Sequence, residues 1–295
     1  MRDGVHDRAR WFRRLLGSTG STSLDPVVRQ RKESPVRTFL FLAGVAFLLA
    51  LLLKTFVLDA FRIPTASMEN TILAGDFLLV NKIAYGAHTP DVIPFTDIHI
   101  PSTRLPGLTR PRRGEVLVFQ YPDTSNLSPH VHYVKRCIAL PGDTVAIVDG
   151  RVLVNGVETQ TPESARIEHP PARYTFGPVV VPGKGDLVDL SPASIERWRT
   201  LMAWEGHNTG MNERGEVLIN GLPQSSIRLE NNYYFVLGDN RGDSFDSRSW
   251  GFLPENLIVG RAMLVYWSRD ERAGGTSFLA RLVSIRWGRL GTLIH

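Results

Sequence analysis

The chemistry of this chain is indicated first by a serine, Ser67, a few residues past its only long apolar run. Pro64 precedes it, and a proline disfavours a helix at this point, so we expect Ser67 on an irregular segment. A serine hydroxyl becomes a useful nucleophile only when a neighbouring group removes its proton. A nucleophilic role for Ser67 therefore requires a base elsewhere in the chain and elements that bring this base to the serine.

Three side chains are candidates for that base: His130, His132 and Lys135. A strand over residues 131–140 would place Lys135 on one face with Tyr133 and Cys137, and His132 on the other. Burial on that apolar face would disfavour the ammonium, lower the pKa of the lysine and make a neutral amine available as general base. The alternatives are a histidine base, or a lysine whose amine reaches water past the sheet edge.

An N-terminal membrane anchor is predicted before Ser67. The run Phe39–Leu53 consists of apolar residues and glycine, and with its flanks it is long enough to cross a bilayer. Residues 1–58 carry ten basic and four acidic residues, against 24 and 25 in the remainder. This asymmetry predicts a basic cytoplasmic arm at 1–37, a transmembrane anchor at 38–58 and an extracytoplasmic body. A buried core helix and a cleaved signal peptide are the alternatives.

The body after the anchor is predicted to be mostly β. Short apolar or alternating runs predict strands at 76–83, 115–121, 131–140, 144–148, 233–237 and 257–267. Asn-Gly turns at 155–156 and 220–221 predict two hairpins. A helix is expected from Ser191-Pro192 to about Trp204, with Gly206 as its stop.

These elements predict an antiparallel β catalytic body, formed by residues 59–148 and 231–268, with an inserted β-rich lobe at 149–230. A basic C-terminal tail, 269–295, would be either solvated or in contact with anionic lipid. The single cysteine, Cys137, excludes an intrachain disulfide and is expected to be a small core residue. Because the positive charge belongs to the arm, we expect no nucleic-acid partner, and no motif calls for a metal or a cofactor.

Four spaced blocks within residues 64–251 resemble bacterial type I signal peptidase (leader peptidase), a membrane-bound endopeptidase that uses a serine and a lysine. The first two blocks are Pro64–Met68 and Gly75–Lys82. The third combines Arg113–Phe119, Tyr133–Arg136 and Leu140–Asp143. The fourth comprises Gly238–Arg241, Ser244, Asp246–Arg248 and Trp250-Gly251.

The resemblance implies that Ser67 is the nucleophile, that Lys135 is the general base and that Ser244 hydrogen-bonds and orients this lysine. It also implies an oxyanion hole formed by the Ser67 backbone N–H and the Thr65 hydroxyl. Four further residues match framework positions of the family: Arg136, Asp239, Asp246 and Arg248. The implied fold is a mostly antiparallel β body with a large β insertion.

The implied activity is removal of N-terminal signal peptides from secreted preproteins, after small residues in an Ala-x-Ala pattern. The implied partners are these preproteins and the lipid bilayer of the cytoplasmic (inner) membrane, crossed once with the N-terminus in the cytoplasm. A narrow-substrate Ser–Lys processing protease is one alternative. A membrane-anchored module that binds preproteins without cutting them is another.

The sequence departs from the family pattern at three places beside the site. Thr65 stands where the family often has serine, Asn70 where it usually has proline, and Gly242-Asp243 where it usually has Asp-Asn. The threonine keeps a hydroxyl donor, although its β-branch restricts χ1. The departures bear on loop rigidity and substrate preference more than on the reaction itself.

Overall fold

The structure is a computed structural model that describes residues 34–87, 89, 103–121, 131–159, 175–270 and 282–295. The chain divides into two units, residues 1–47 and 48–295. Most of the predicted cytoplasmic arm, the candidate base His130 and the tail arginines Arg272 and Arg281 lie outside the described residues.

The N-terminal helix, α1, begins at Pro35 and ends at Leu52, and a π-helical turn continues it from Leu53 to Val57. Leucine and alanine favour the helix, and proline is well tolerated in its first turn. The segment Pro35–Val57 has 23 residues, its most apolar 18-residue stretch has a mean hydropathy of 2.4, and none of that stretch is buried. By length and composition this helix could cross a membrane. Leu58, the last residue of the predicted anchor, already belongs to the first strand.

The remaining elements are, in chain order, β1 (Leu58–Arg62), β2 (Asp76–Asn81), β3 (Val116–Tyr121), β4 (Val131–Ala139), β5 (Thr144–Val148), β6 (Arg151–Val154), β7 (Val157–Glu158), β8 (Phe176–Val180), β9 (Leu187–Asp189), α2 (Ile195–Trp204), β10 (Thr209–Met211), β11 (Val217–Ile219), β12 (Leu222–Pro223), β13 (Ser226–Arg228), β14 (Tyr233–Leu237), α3 (Ser247–Trp250), β15 (Leu253–Pro254), β16 (Ile258–Ser268) and β17 (Thr292–Leu293). Short 3-10 turns occupy Glu255–Leu257 and Trp287–Arg289. The mostly β class with antiparallel sheets is confirmed.

The central sheet has the strand order β1-β2-β16-β3-β4-β14-β15, and β17 pairs with β16. Its pairings are antiparallel, and β4 lies between β3 and β14. The two faces of β4 enter different cores, as the alternation of the sequence predicts. Val134 packs in one apolar cluster and Cys137, fully buried, in another. A strand in this position holds its side chains rigidly, which suits a residue that must be placed accurately.

Both predicted hairpins are present within residues 149–230, the predicted inserted lobe. The turn residues Asn155 and Asn220 have φ values of 53° and 51°, in the left-handed region that an Asn-Gly hairpin turn requires. The sheet β7-β6-β5-β8 includes β5, so this sheet begins at Thr144, earlier than the expected lobe boundary at 149.

Helix α2 ends at Trp204 before Gly206, as predicted, but it begins at Ile195 and not at Ser191. The serine hydroxyls account for the difference. Ser194 Oγ donates to the backbone oxygen of Asp189 at 2.8 Å and accepts from the Ser191 N–H at 2.9 Å. Such local bonds stabilise a turn in competition with a helix.

The described part of the tail, residues 282–295, is mostly exposed, as expected of a surface segment, but several of its residues contact the body. Strand β17 pairs Leu293 with Leu264 of β16. Arg286 and Arg289 both contact Asp76, a carboxylate with no exposed surface. The two arginines are paired because a buried carboxylate without a cationic partner would be costly.

Candidate active site

Ser67 lies on the loop that joins β1 to β2, residues 63–75, which we call the serine loop. The Ile63 N–H donates to Asp76 O at 2.9 Å, and the Gly75 N–H donates to Ile63 O at 2.8 Å, so both ends of the loop are tied together. Met68 and Ile72 are buried in the core beneath the sheet. The buried side chains that follow the half-buried Ser67 thus hold its backbone in place.

Lys135 extends from β4 to the serine. Its Nζ donates to Ser67 Oγ at 2.6 Å and to the backbone oxygen of Val134 at 3.1 Å. The residue is only 4% exposed, and its Nζ lies 5.5 Å from the centre of the Tyr133 ring. The amine therefore has little access to water and few other hydrogen-bond acceptors near it.

Burial lowers the pKa of Lys135 from its usual 10.5 to about 8. The carboxylates of Asp246 and Asp239 oppose this shift, and the Arg248 guanidinium adds to it. Desolvation outweighs the two carboxylates because it penalises the ammonium directly. A substantial fraction of the amine is therefore neutral just above neutral pH.

The candidate histidine base is placed elsewhere. His132 packs its ring against Phe61, with ring centroids 4.6 Å apart, whereas Ser67 Oγ is hydrogen-bonded by Lys135. The alternation in β4 accounts for this, since positions 132 and 135 point to opposite faces.

Asp239 joins the lysine strand to the serine loop. It accepts from Arg136 Nε at 2.9 Å and from Arg136 Nη2 at 2.6 Å, a bidentate pair in which both side chains are almost fully buried. It also accepts from the Thr71 hydroxyl at 2.6 Å. One carboxylate thus fixes β4, which carries Lys135, against the loop that carries Ser67.

Two contributors to the site, Thr71 and Asn240, are absent from the residues predicted by sequence. The Asn240 N–H donates to Ser67 O at 3.1 Å, and its side-chain Nδ2 donates to Ala66 O at 3.2 Å. Thr71 lies four residues after Ser67, and Asn240 follows Asp239 within the block Gly238–Arg241. Their places near predicted site residues are the signal that could have found them, since their contacts are between distant segments.

Asp246 and Arg248 form a second bidentate pair, with Nε to Oδ1 and Nη2 to Oδ2 both at 2.8 Å. Asp246 Oδ2 also accepts from the Gly238 N–H at 3.0 Å, and Arg248 Nη2 donates to Arg241 O at 2.8 Å. The pair therefore shapes the loop 238–248 and contacts neither Ser67 nor Lys135 by hydrogen bond.

Ser244 does not make the hydrogen bond that was expected. Among the described atoms, its Oγ is buried and has no hydrogen-bond partner, so the bond to Lys135 is missing in this structure. Close packing against Gly238 holds the hydroxyl, since a Cβ at position 238 would lie 2.2 Å from Ser244 Oγ. The hydroxyl is thus packed against the Gly238 backbone.

The departures from the family pattern are placed as follows. Thr65 is exposed on the serine loop. Asn70 has a φ of 79°, which proline cannot adopt because its ring fixes φ near −65°. The loop after Ser67 therefore has a backbone shape that the usual family residue would not allow.

The described residues contain no group of three metal-ligating side chains of the His, Cys, Asp or Glu type.

Comparison with known proteins decides the family. The model of the family described as signal peptidase, peptidase S26, matches residues 36–267. The chain belongs to this family. It is 31% identical to signal peptidase I of Pseudomonas aeruginosa over 233 residues, which cover 75% of this chain and 68% of that protein. It is 29% identical to signal peptidase I of Aquifex aeolicus over 253 residues, covering 80% and 84%.

This S26 peptidase is a serine endopeptidase, and its substrates are preproteins that carry signal peptides. The matched region includes Ser67, Lys135 and the loop 238–248, but it ends before the packed tail segment 282–295.

Proposed function

We propose that Ser67 and Lys135 are the catalytic pair of this signal peptidase. The observation that carries the proposal is the 2.6 Å contact between Lys135 Nζ and Ser67 Oγ, made by a lysine whose pKa burial lowers to about 8. Hydrogen-bonding distance and a pKa near the operating pH are the two requirements for a general base.

The reaction follows as acyl transfer. Neutral Lys135 takes the Ser67 hydroxyl proton while Oγ attacks the scissile carbonyl carbon. The Ser67 N–H and the Thr65 hydroxyl donate to the developing oxyanion, where each donor is typically worth about 3 kcal/mol. The Lys135 ammonium then protonates the leaving amine as the C–N bond breaks. A water molecule, deprotonated by Lys135, releases the acyl group and regenerates Ser67.

The other proposed residues support this pair. Arg136 and Asp239 brace β4 against the serine loop, Asp246 and Arg248 shape the loop 238–248, and Ser244 packs against Gly238. An extended preprotein segment would add as a strand beside β1, which is an edge strand of the central sheet among the described residues and leads into the serine loop. Small residues beside the cut, in an Ala-x-Ala pattern, complete the proposed specificity.

We further propose that the peptidase is anchored by its N-terminal helix with the N-terminus in the cytoplasm and the catalytic body outside. The support is the exposed apolar helix Pro35–Val57 and the excess of basic residues before it. Protease treatment of intact inverted and right-side-out membrane vesicles tests the orientation. Digestion of the body from the cytoplasmic side would overturn it.

The decisive experiment is cleavage of a preprotein with an Ala-x-Ala site, by the full chain in detergent or lipid. Wild type is expected to cut after the second alanine, and Ser67→Ala and Lys135→Ala, each folded, are expected to be inactive. Lys184→Ala, which changes an exposed lysine of the second lobe, serves as the control and should retain full activity. Activity that persists without Lys135 would exclude the pair, and cutting of a single preprotein only would favour the narrow-substrate protease.

A further inference from the structure

We propose that Arg286 and Arg289, in the tail beyond the region that matches the family, position the nucleophile by clamping the segment that follows it. We call residues 67–76 the nucleophile loop. The inference rests on the proposed role of Ser67. The two arginines lie beyond residues 36–267, the region that the family model matches, and would still take part in that reaction.

Arg289 contacts the middle and the end of the nucleophile loop at once. Its Nη2 donates to Thr71 O at 3.0 Å and to Asp76 Oδ2 at 2.6 Å, and its Nε lies 3.1 Å from both oxygens of Asp76. A planar guanidinium can satisfy a carboxylate and a carbonyl together, which a lysine ammonium does less well.

Arg286, three residues before Arg289, contacts the end of the same loop. Its Nη1 donates to Ala74 O at 2.9 Å and lies 3.9 Å from Asp76 Oδ1, while its Nη2 pairs with Asp270 at 3.3 Å. The backbone of Arg286 is itself fixed, because its N–H donates to Ser268 O at 3.1 Å. Two tail arginines therefore bind two backbone carbonyls of the nucleophile loop.

Asp76 makes this arrangement rigid. The carboxylate is fully buried, accepts from the Ser268 hydroxyl at 2.6 Å and accepts from the Leu73 N–H at 2.8 Å. Removing an arginine partner would leave a buried carboxylate undercompensated, which is costly. The two arginines thus compensate the charge of this buried carboxylate.

Thr71 is in contact with both Asp239, which braces the lysine strand, and Arg289 of the tail. Asp239 accepts from its side chain, and Arg289 donates to its carbonyl oxygen. The Thr71 N–H in turn donates to Met68 O at 3.1 Å, next to the nucleophile. A shift of Thr71 would therefore be transmitted to Ser67, and a misplacement of about 1 Å can lower a rate about 100-fold.

The test compares Arg289→Gln, Arg286→Gln and Arg289→Lys in the full chain, with preprotein cleavage as one readout and backbone hydrogen exchange as the other. Arg261→Gln is the matched control, since Arg261 also pairs with a carboxylate, Glu115 at 2.9 Å, directly before the neighbouring strand β3. For Arg289→Gln we expect a kcat about 10- to 100-fold lower with KM unchanged, and faster exchange across the nucleophile loop. Arg289→Lys should fall between Arg289→Gln and wild type, and the control should match wild type in both readouts.

The pH midpoint of kcat should stay where it is in wild type, because neither arginine contributes to the environment that sets the pKa of Lys135. A wild-type kcat in both glutamine variants, or a loss that appears in KM alone, would overturn the proposal. If Arg289→Gln does not fold, Arg286→Gln decides the question by the same readouts. Hydrogen exchange separates the two proposals. Faster loop exchange in the glutamine variants together with an active Ser67→Ala enzyme would refute the role of Ser67, and with it the positioning of a nucleophile, and would leave only the contact of the arginines with the loop. An inactive Ser67→Ala enzyme with unchanged loop exchange and kcat in the glutamine variants would refute the clamp alone.

Discussion

Lys135 Nζ donates a 2.6 Å hydrogen bond to Ser67 Oγ although the two residues are 68 positions apart in the chain. The contact exists because β4 and the serine loop are held together by one carboxylate, Asp239, which binds Arg136 beside the lysine and Thr71 on the loop. The expected consequences concern the charge of the lysine, the bracing around it and the shape of the loop.

The first prediction concerns pH. Since burial lowers the pKa of Lys135 to about 8 and the neutral amine is the active form, kcat should rise with pH, reach half its maximum at about pH 8 and level off at higher pH. A pH profile of preprotein cleavage between about pH 6 and pH 10 measures it. A midpoint near the histidine value, combined with an active Lys135→Ala and an inactive His132→Ala, would contradict the lysine base.

The second prediction concerns stability. Lys135→Met should abolish cleavage and raise the free energy of unfolding, by up to about 3 kcal/mol, because the folded state no longer has to bury an ammonium. The folded-state pKa is the lower one, so the unfolded state binds more protons between about pH 8 and 10.5. The gain should therefore be fully present below pH 8 and disappear as the pH rises toward 10.5. Urea unfolding at several pH values tests this, and a gain independent of pH would speak against a buried ammonium as its cause.

The third prediction concerns the brace. Asp239→Asn leaves the buried Arg136 guanidinium without its carboxylate and should destabilise the fold by about 3–5 kcal/mol, with a loss of cleavage. Thermal or urea unfolding gives the free energy directly. Glu196→Gln is the control, because its pair with Arg199 is solvent-exposed and should change little. An equal loss of unfolding free energy in the two variants would contradict the prediction that the buried Arg136–Asp239 pair is much costlier to break than an exposed pair.

The fourth prediction concerns the close approach of Gly238 to the serine loop. A Cβ at this position would lie 2.2 Å from Ser244 Oγ and 2.5 Å from Ser67 O, so Gly238→Ala should push the two loops apart and lower kcat. Gly210→Ala is the matched control, since its nearest neighbour would be Leu218 Cβ at 3.9 Å. Steady-state cleavage rates of both variants test this prediction, and a wild-type rate for Gly238→Ala would contradict it.

The fifth prediction concerns Asn70, which replaces the usual family proline. Its φ of 79° suits glycine and excludes proline, so Asn70→Gly should keep cleavage and stability, whereas Asn70→Pro should lower both. Melting temperature and cleavage rate are measured for each variant. Full activity in Asn70→Pro would show that the loop can take the usual family shape.

Much of the fold follows from local pattern. The alternation of β2, the fully apolar run Tyr233–Leu237 and the two Asn-Gly turns each specify a strand or hairpin within a few residues. Helix α2 was placed too early because two serines form competing side-chain bonds, which a propensity argument does not weigh. The contacts of the tail do not follow from the sequence for a related reason: Arg286 and Arg289 are basic, but their partner, Asp76, is some 200 residues away and buried.

The sequence alone determined the family through its four spaced blocks, the candidate pair Ser67 and Lys135, and the face of β4 on which the lysine lies. These follow from residue types and short-range periodicity. Only the tertiary structure decided the rest: the carboxylate that joins Arg136 to Thr71, the missing bond of Ser244, the loop shape at Asn70 and the tail arginines on the nucleophile loop. Each of these depends on packing between segments far apart in the chain, and hydrogen bonds across such distances leave no periodic trace in the residues that make them.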